Sequence, residues 1–297
     1  MRWLAVVAAV ACPWPALALV GGAGVAPNTA DSPWAGVGSL SVGSSLFTGT
    51  VIAPGYILTA AHVVRGVDVS TITFRLNAGD SVSLAASQVF IHPTYTGTTA
   101  GNRDKDVTVH DDLAIVKLSG VVPTGVPVYS LFTGSLDQRV VSFVSFAGSA
   151  VDKRIGENRV DGLFRDTAGT AEVYAFDFDG PDLGTNRIGA NIAANGTLGA
   201  TREASLVGGD SGSAAFVQVA GQWQLAGINT FQITFEGGPT TSGAFGTGGG
   251  GMVVGAYAPW IGSIIAAAPV PEPESWLLLL SGLGLLAGAT RRGVSGF

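Results

Sequence analysis

The sequence contains a single cysteine, Cys12, among 297 residues. One thiol cannot form an internal disulfide, so stability has to come from an apolar core, which a chain of this length is large enough to form. Charged residues make up only 12% of the chain, and the formal net charge is −6. Nucleic-acid binding relies on clustered Lys and Arg, and the sequence has no such cluster, so we expect no nucleic-acid partner.

Long stretches of helical periodicity are also missing from the middle of the chain. Its 44 glycines and its short alternating runs of Val, Thr, Ser and Ile are instead typical of a turn-rich β protein. The length allows one large domain or two small ones. Composition therefore predicts an all-β protein before any motif is considered.

Residues 1–18 carry the features of a secretory signal peptide. A basic residue precedes the apolar run 3–11, and Ala16-Leu17-Ala18 is a small-x-small cleavage site. Prolines within the segment argue against a buried N-terminal helix. A lipoprotein signal ending at Cys12 is an alternative, although the residues before it lack the usual leucine. We expect signal peptidase to release a chain that begins at Leu19 and has no cysteine.

Residues 269–297 have the composition of a second targeting segment. They contain a Pro-Glu-Pro linker, the apolar run Trp276 to Ala289 and the pair Arg291-Arg292. At about 14 residues the run is shorter than the roughly 20 that span a bilayer. The segment resembles the PEP-CTERM sorting tail of Gram-negative bacteria. That resemblance implies transient anchoring in the inner membrane and processing by an exosortase-type enzyme. It places the protein in the periplasm, at the cell surface or in the extracellular matrix. The alternative is an ordinary C-terminal membrane anchor.

Three short motifs stand in order between these ends. The first is Thr59-Ala60-Ala61-His62, the second runs from Asp112 to Leu118, and the third is Gly208-Gly209-Asp210-Ser211-Gly212. A serine is a poor nucleophile at neutral pH unless a base takes its proton and a carboxylate orients that base. An α/β-hydrolase would need Gly-x-Ser-x-Gly and the order Ser, Asp, His. The motifs therefore indicate a different Ser-His-Asp arrangement.

The three motifs resemble the chymotrypsin/trypsin family of serine proteases. This resemblance implies an all-β fold of two packed six-stranded antiparallel β-barrels with a short C-terminal helix, within residues 19–268. It also implies an endopeptidase that hydrolyses protein or peptide substrates through an acyl-enzyme, with no metal or other cofactor. The alternative is a surface or matrix-binding protein that keeps the protease fold without turnover.

The resemblance assigns a role to each residue of the motifs. Ser211 is the expected nucleophile, His62 the general base and Asp112 the carboxylate that orients the base. The backbone N–H groups of Gly209 and Ser211 are expected to form the oxyanion hole. Glycine suits that position because the required backbone conformation is poorly tolerated with a Cβ.

Other histidines and acidic residues are weaker candidates. Asp111 is a contender for the carboxylate, but the apolar alternation begins directly after Asp112. His92 and His110 are contenders for the base, and neither has a motif around it. Two acidic runs lack the spacing and the terminal glutamate of a calcium loop, so we expect solvated loops and no metal site. These runs contain Asp104, Asp106 and Asp111, and Asp177, Asp179 and Asp182.

The expected specificity pocket is neutral. Ser205 stands where a trypsin carries an aspartate at the pocket base, and a serine offers no partner for a substrate Arg or Lys. Glu203 is close in sequence, but nothing in the sequence directs its carboxylate to the pocket. Thr230, Phe231 and Gln232 are expected to form the wall that pairs with substrate as an added strand. We therefore expect apolar side chains to be preferred.

The resemblance also implies a pairing between the new N-terminus and the aspartate before the nucleophile. Signal cleavage after Ala18 leaves Leu19-Val20-Gly21-Gly22, which matches the inserted terminus of the family. The ammonium of Leu19 is expected to pair with Asp210 and so shape the oxyanion hole. The alternative is that a separate protease acts later and frees a different terminus.

Overall fold

The computed structural model of the chain describes residues 19–26, 29–76, 81–97, 110–146, 152–188 and 196–267. Strands dominate these residues, as the composition predicts. In chain order they are β1 (Val20–Gly21), β2 (Gly24–Ala26), β3 (Val37–Val42), β4 (Ser45–Ala53), β5 (Tyr56–Thr59), β6 (Ile72–Leu76), β7 (Val82–Ile91), β8 (Ala114–Leu118), β9 (Val140–Ser145), β10 (Lys153–Arg159), β11 (Gly162–Arg165), β12 (Ala171–Asp177), β13 (Ala204–Ser205), β14 (Ala214–Val219), β15 (Gln222–Ile233) and β16 (Gly248–Val253). The described helices include α1 (Ala61–Val64) and α2 (Ala258–Ala266).

Strands β3 to β8 close into an antiparallel barrel in the order β3-β4-β5-β8-β7-β6. The β4–β5 hairpin turns at Pro54-Gly55, as expected because proline presets the φ angle that a tight turn needs. Leu40, Ile57 and Phe74 are fully buried inside. Burying each such side chain contributes about 1.5–3 kcal/mol of stability. Closure leaves no free strand edge, so the barrel is a rigid support for the loops at its ends.

The second half contains an eight-stranded sheet in the order β11-β12-β16-β15-β14-β9-β10-β2. A second closed six-stranded barrel was predicted here, and the described strands do not form one. β11 is the first strand of this order and β10 is the last but one, yet only Val160 and Asp161 separate them along the chain. Val160 N donates to Arg139 O, whereas Asp161 N donates to Ala175 O. This change of partner interrupts the strand and leaves the hydrogen-bonded ladder open.

The core of this sheet includes the first described residue. Phe143 and Phe176 pack with their ring centroids 4.9 Å apart, and Leu19 belongs to the same cluster of buried side chains. Leu19 is 1% exposed. The first described residue therefore lies in the hydrophobic core. Directly after it, β1 pairs with β13, with Val20 opposite Ser205.

The described chain ends in the short helix α2, as the sequence predicts. A turn of 3₁₀-helix over Val254–Tyr257 leads into it, and Ile261 is buried. Described residues 19–261 belong to one unit, and a second unit begins at Gly262. Among the described residues, no helix is long and apolar enough to cross a bilayer. The predicted sorting segment 269–297 and the predicted signal peptide lie outside those residues.

Candidate active site

The ends of two barrel strands bring the first two motifs together. Thr59 at the end of β5 pairs with Ala114 at the start of β8, so His62 in α1 lies beside Asp112. His62 Nδ1 is 2.6 Å from Asp112 Oδ2, and the backbone N–H of His62 donates to Asp112 Oδ1 at 2.8 Å. One carboxylate therefore holds both the ring and the backbone of the histidine.

Asp112 is fully buried, whereas His62 keeps part of its side chain in contact with solvent. Burial alone would lower the pKa of His62. The charge of Asp112 and the hydrogen bond to it outweigh burial and leave the pKa of His62 above its ordinary value. The same hydrogen bond favours the tautomer that carries its proton on Nδ1, which leaves Nε2 as a proton acceptor.

Ser211 lies on the loop between β13 and β14, and its Oγ is 2.8 Å from His62 Nε2. Gly212 follows with φ +81°, and a Cβ there would stand 2.2 Å from Thr59 Oγ1. This close approach requires glycine. The serine loop therefore packs directly against the end of β5, and the three motif side chains form one hydrogen-bonded chain from Asp112 through His62 to Ser211.

The backbone before Ser211 turns sharply. Gly209 has φ +97°, a conformation that side chains rarely adopt. Asp210 N donates to Val207 O at 3.1 Å, and Ser213 N donates to Asp210 O at 2.9 Å. Within the described ranges, the N–H groups of Gly209 and Ser211 have no acceptor. Two unused backbone donors therefore flank the serine hydroxyl.

Asp210 points away from this cavity into the interior and is 1% exposed. Both of its carboxylate oxygens are 3.3 Å from the backbone nitrogen of Leu19. Ser145 Oγ donates to Oδ1 at 2.6 Å, and Val207 N donates to Oδ2 at 2.7 Å. Burial raises the pKa of Asp210 to about 6, although these hydrogen bonds oppose the shift. In the intact chain this nitrogen belongs to a peptide bond, so it brings no positive charge.

The residues predicted for the specificity pocket lie on strands of two different sheets, β13 and β15. Ser205 in β13 is fully buried, and Thr230 and Phe231 in β15 are 6% and 7% exposed. The hydroxyls of Ser205 and Thr230 are buried without a hydrogen-bond partner in the described part of the chain. A register shift occurs between Asn229 and Phe231 in the pairing of β15 with β16. Gln232 is partly exposed, and its Oε1 accepts a hydrogen bond from Ser242.

One edge of β15 is open where the predicted wall lies. β15 pairs with β16 along one edge, and on the opposite edge its pairing with β14 ends at Ile228, opposite Ala214. Asn229 still exchanges backbone hydrogen bonds with Gly212 and Ser213, and beyond Asn229 no described strand pairs with this edge. Glu203 is 2% exposed, and its Oε2 accepts a hydrogen bond from Leu198 N at 2.7 Å. Burial raises the pKa of Glu203 to about 7. An extended chain of another molecule can therefore add to this edge.

The two other histidines are not beside Ser211. Both lie against Asp111: His92 Nδ1 is 3.4 Å from its Oδ1, and His110 Nδ1 is 3.0 Å from its Oδ2. Asp111, predicted as part of a solvated loop, is 5% exposed. The prediction of a solvated side chain was wrong for Asp111, because its carboxylate is buried against the two imidazoles. Sequence reasoning also missed Glu172, which β12 brings to the same place.

The second acidic run departs from its prediction too. Asp177 is 1% and Asp179 is 5% exposed, whereas Asp182 is exposed as expected. Asp177 is buried because its Oδ2 accepts from the backbone N–H groups of Arg187 and Ile188. These backbone donors come from the segment after the turn, and no pattern in the sequence indicates that they approach Asp177.

Comparisons with known proteins identify two regions of the chain. The family model described as trypsin matches residues 19–261. The chain belongs to the trypsin family. A second model, the PEP-CTERM protein-sorting motif, matches residues 269–292. The two resemblances inferred from the sequence, to the trypsin family and to the PEP-CTERM sorting tail, are therefore confirmed. The family match covers all strands of the described barrel and sheet.

Relatives of this family are distant. The chain is 30% identical over 102 residues to trypsin Blo t 3 of Blomia tropicalis, covering 33% of this chain and 35% of the relative. It is 28% identical over 137 residues to a trypsin of Squalus acanthias, covering 44% and 55%. It is 27% identical over 219 residues to mouse vitamin K-dependent protein C, covering 69% and 44%. The chain thus spans about half or less of these relatives' length.

A solved structure with the same fold is the scabies mite inactivated protease paralogue S-D1. It matches with a TM-score of 0.56 at 16% identity, over 84% of this chain and 100% of that one. At this identity the match establishes the fold and leaves activity to be argued from the site. Any activity of this chain therefore depends on the side chains of the motif residues.

Proposed function

We propose that the domain is an exported serine endopeptidase that hydrolyses peptide bonds through an acyl-enzyme. The observation that carries the proposal is the hydrogen-bonded chain of Asp112, His62 and Ser211, with distances of 2.6 and 2.8 Å. A trypsin-family domain with this arrangement has a nucleophile, a base and an orienting carboxylate in contact. Membership of the trypsin family supports the same reaction class.

In the acylation step, Ser211 Oγ attacks the carbonyl carbon of the substrate and its proton passes to His62 Nε2. Asp112 stabilises the imidazolium that forms and does not itself take the proton. The carbonyl oxygen becomes an oxyanion, which the N–H groups of Gly209 and Ser211 stabilise. Loss of one such donor in a related site costs about 2.7–4 kcal/mol of transition-state stabilisation.

The tetrahedral intermediate collapses when the bond to nitrogen breaks. His62 returns its proton to the departing amine, and the acyl group stays on Ser211. Water then repeats the sequence: it gives a proton to His62 and attacks the acyl carbon, and Ser211 regains its proton as the acid leaves. No group beyond these side chains and water is needed to balance either half of the reaction.

The neutral, buried side chain of Ser205 supports a preference for small to medium apolar or aromatic side chains before the scissile bond. A substrate Arg or Lys would lose its hydration there without gaining a partner. The open edge at Thr230, Phe231 and Gln232 supports binding of the substrate backbone as an added strand. Substrate specificity is therefore proposed to reside in β13 and β15.

Processing at both ends fits an exported protease. Signal peptidase would release Leu19, whose ammonium would then pair with Asp210 and complete the oxyanion hole. The sorting motif supports handling by an exosortase-type enzyme after transient contact with the inner membrane of a Gram-negative bacterium. The protein would act in the periplasm, at the cell surface or in the extracellular matrix.

A fluorescent phosphonate that reacts with activated serines tests the proposal. The processed protein should be labelled, and Ser211→Ala should not be. Ser44→Ala, which changes an exposed serine in the turn between β3 and β4, is the matched control and should be labelled like the unchanged protein. Labelling that persists in Ser211→Ala would place the reactive group elsewhere and refute the assignment.

The alternative is a protein that keeps the fold without turnover. The structural likeness to an inactivated paralogue gives this alternative its support, since the fold alone does not ensure activity. Phosphonate labelling and peptide cleavage distinguish the endopeptidase from the inactive protein. A folded, processed protein that takes up no phosphonate and cleaves no member of a peptide library would favour the inactive binding protein.

A further inference from the structure

A group of imidazole and carboxylate side chains lies beside the catalytic motifs and takes no part in them. Asp111 stands at its centre, with His92 and His110 against its two oxygens. One ligand atom from each of His110, Asp111 and Glu172 lies within 4.8 Å of the others. These residues come from the loop before β8 and from β12, so the group joins the two halves of the fold.

We propose that His110, Asp111 and Glu172 bind one divalent transition-metal ion of the zinc class, with water as a fourth ligand. Zinc bonds to imidazole nitrogen and carboxylate oxygen at about 2.0–2.2 Å, so neighbouring atoms of a tetrahedral site lie about 3.3–3.6 Å apart. His110 Nδ1 and Asp111 Oδ2, at 3.0 Å, need to separate only slightly. The other pairs of ligand atoms lie within 4.8 Å, so they have to approach by up to about 1.5 Å to reach the distances of a tetrahedral site.

The chemistry of the ligands selects the class of ion. Calcium and magnesium prefer sites made of oxygen atoms alone, so an imidazole nitrogen argues against them. One imidazole with two carboxylates suits zinc and its neighbours among the divalent transition metals. Three protein ligands with one open position are an ordinary arrangement for zinc. Asp111 is buried and His110 and Glu172 are partly exposed, so an ion can reach the group from solvent.

His92 lies against the carboxylate of Asp111 on the side away from His110. Its Nδ1 is 3.4 Å from Asp111 Oδ1 and 2.8 Å from Thr94 Oγ1, which fixes the ring beside the carboxylate. The imidazole is itself fixed by the rings of Tyr257 and Trp260, whose centroids lie 5.0 and 4.9 Å away in edge-on contacts. Outer partners of this kind typically raise metal affinity about 10–100-fold. His92 is therefore a positioning residue for the proposed ion.

The test uses the chain from Leu19 with Ser211→Ala, which prevents self-cleavage. After removal of metal with a chelator, zinc chloride is titrated by calorimetry and the melting temperature is followed. We expect one ion per chain and a higher melting temperature. Glu172→Gln should reduce the affinity by more than the roughly 10–100-fold expected of an outer partner, and His92→Gln by an amount within that range. Glu236→Gln, at an exposed glutamate, is the matched control and should bind normally.

Cobalt provides a second readout, because its visible spectrum distinguishes four ligands from six. A four-coordinate spectrum that Glu172→Gln abolishes supports the site. If Glu172→Gln does not fold, His110→Gln replaces it. The proposal is overturned if zinc does not bind at a ratio of one, if Glu236→Gln weakens binding equally, or if binding survives Glu172→Gln but is lost in His62→Gln. Peptidase activity enters none of these measurements.

Discussion

Release of the Leu19 ammonium should switch the proposed enzyme on, and the size of the effect follows from Asp210. In the unprocessed chain, burial raises the pKa of this carboxyl from 3.8 to about 6. That shift of about two units corresponds to about 3 kcal/mol for charging Asp210 at neutral pH. Leaving a buried charge without its partner costs about 3–5 kcal/mol in measured cases, so the two figures agree.

The perturbation is a chain that keeps one residue, Ala18, before Leu19. Its backbone nitrogen can still donate a hydrogen bond but carries no charge. A penalty of about 3 kcal/mol corresponds to about 100-fold, since each tenfold step requires about 1.4 kcal/mol. We expect kcat/KM and the rate of phosphonate labelling at Ser211 to fall by about that factor. Melting curves of both forms should show that each is folded.

The pH dependence gives an independent check. A free α-amino group has a pKa of about 7.7–8.0, and pairing with Asp210 raises it. The stabilisation is therefore complete below about pH 7.7 and is lost as the pH rises through the raised pKa. The processed form should lose activity at alkaline pH, and Asp210→Asn should remove this dependence together with most of the activity. Equal labelling rates for the chains that begin at Ala18 and at Leu19 would refute the reasoning.

Four further predictions concern single residues. Ser211→Ala should abolish hydrolysis of peptides and esters while the melting temperature stays unchanged, because little buried volume is lost; activity above about one part in a thousand would contradict the triad. A peptide library should show cleavage after apolar residues and not after Arg, because Ser205 carries no charge; efficient cleavage after Arg would require an acid elsewhere in the pocket. The pKa of Asp161 is raised by burial to about 8, so stability should fall as pH rises from about 4 to 8, and Asp161→Asn should reduce that fall in urea titrations at pH 5 and 8. Gly212→Ala should lower both activity and the melting temperature, since its Cβ would stand 2.2 Å from Thr59 Oγ1; an unchanged melting temperature would mean that the loop moves freely.

The three motifs proposed for catalysis could be identified from the sequence because each is a short contiguous run next to a strand end. His62 follows a run of buried strand residues, and Asp112 precedes another, so β-pairing of Thr59 with Ala114 brings them together. Gly212 of the serine motif is required by a close approach to Thr59 of the histidine motif. The C-terminal helix was expected through the family resemblance, and α2 confirms it.

What the sequence did not reveal depends on contacts between distant residues. The interruption at Val160 and Asp161 arises from a change of hydrogen-bond partner between Arg139 and Ala175, and no local pattern marks it. The burial of Asp111 results from histidines on either side of its carboxylate. Glu172 approaches the same place from β12. Each of these features requires the strand order, which alternation of apolar residues alone does not determine.

Buried hydrogen bonds through Thr48 and Ser145 connect Asp210, the proposed partner of the Leu19 ammonium, to the histidine side of the site. Thr59 Oγ1 donates to Thr48 O at 2.9 Å, and Thr48 Oγ1 lies 3.4 Å from Ser145 Oγ. Ser145 gives its only proton to Asp210, at 2.6 Å, so Thr48 must donate to Ser145. Removing one member of a buried network leaves its neighbours unsatisfied. We therefore expect the charge on Asp210 to affect the strand end before His62 as well as the serine loop, and the new terminus at Leu19 to order both halves of the proposed site.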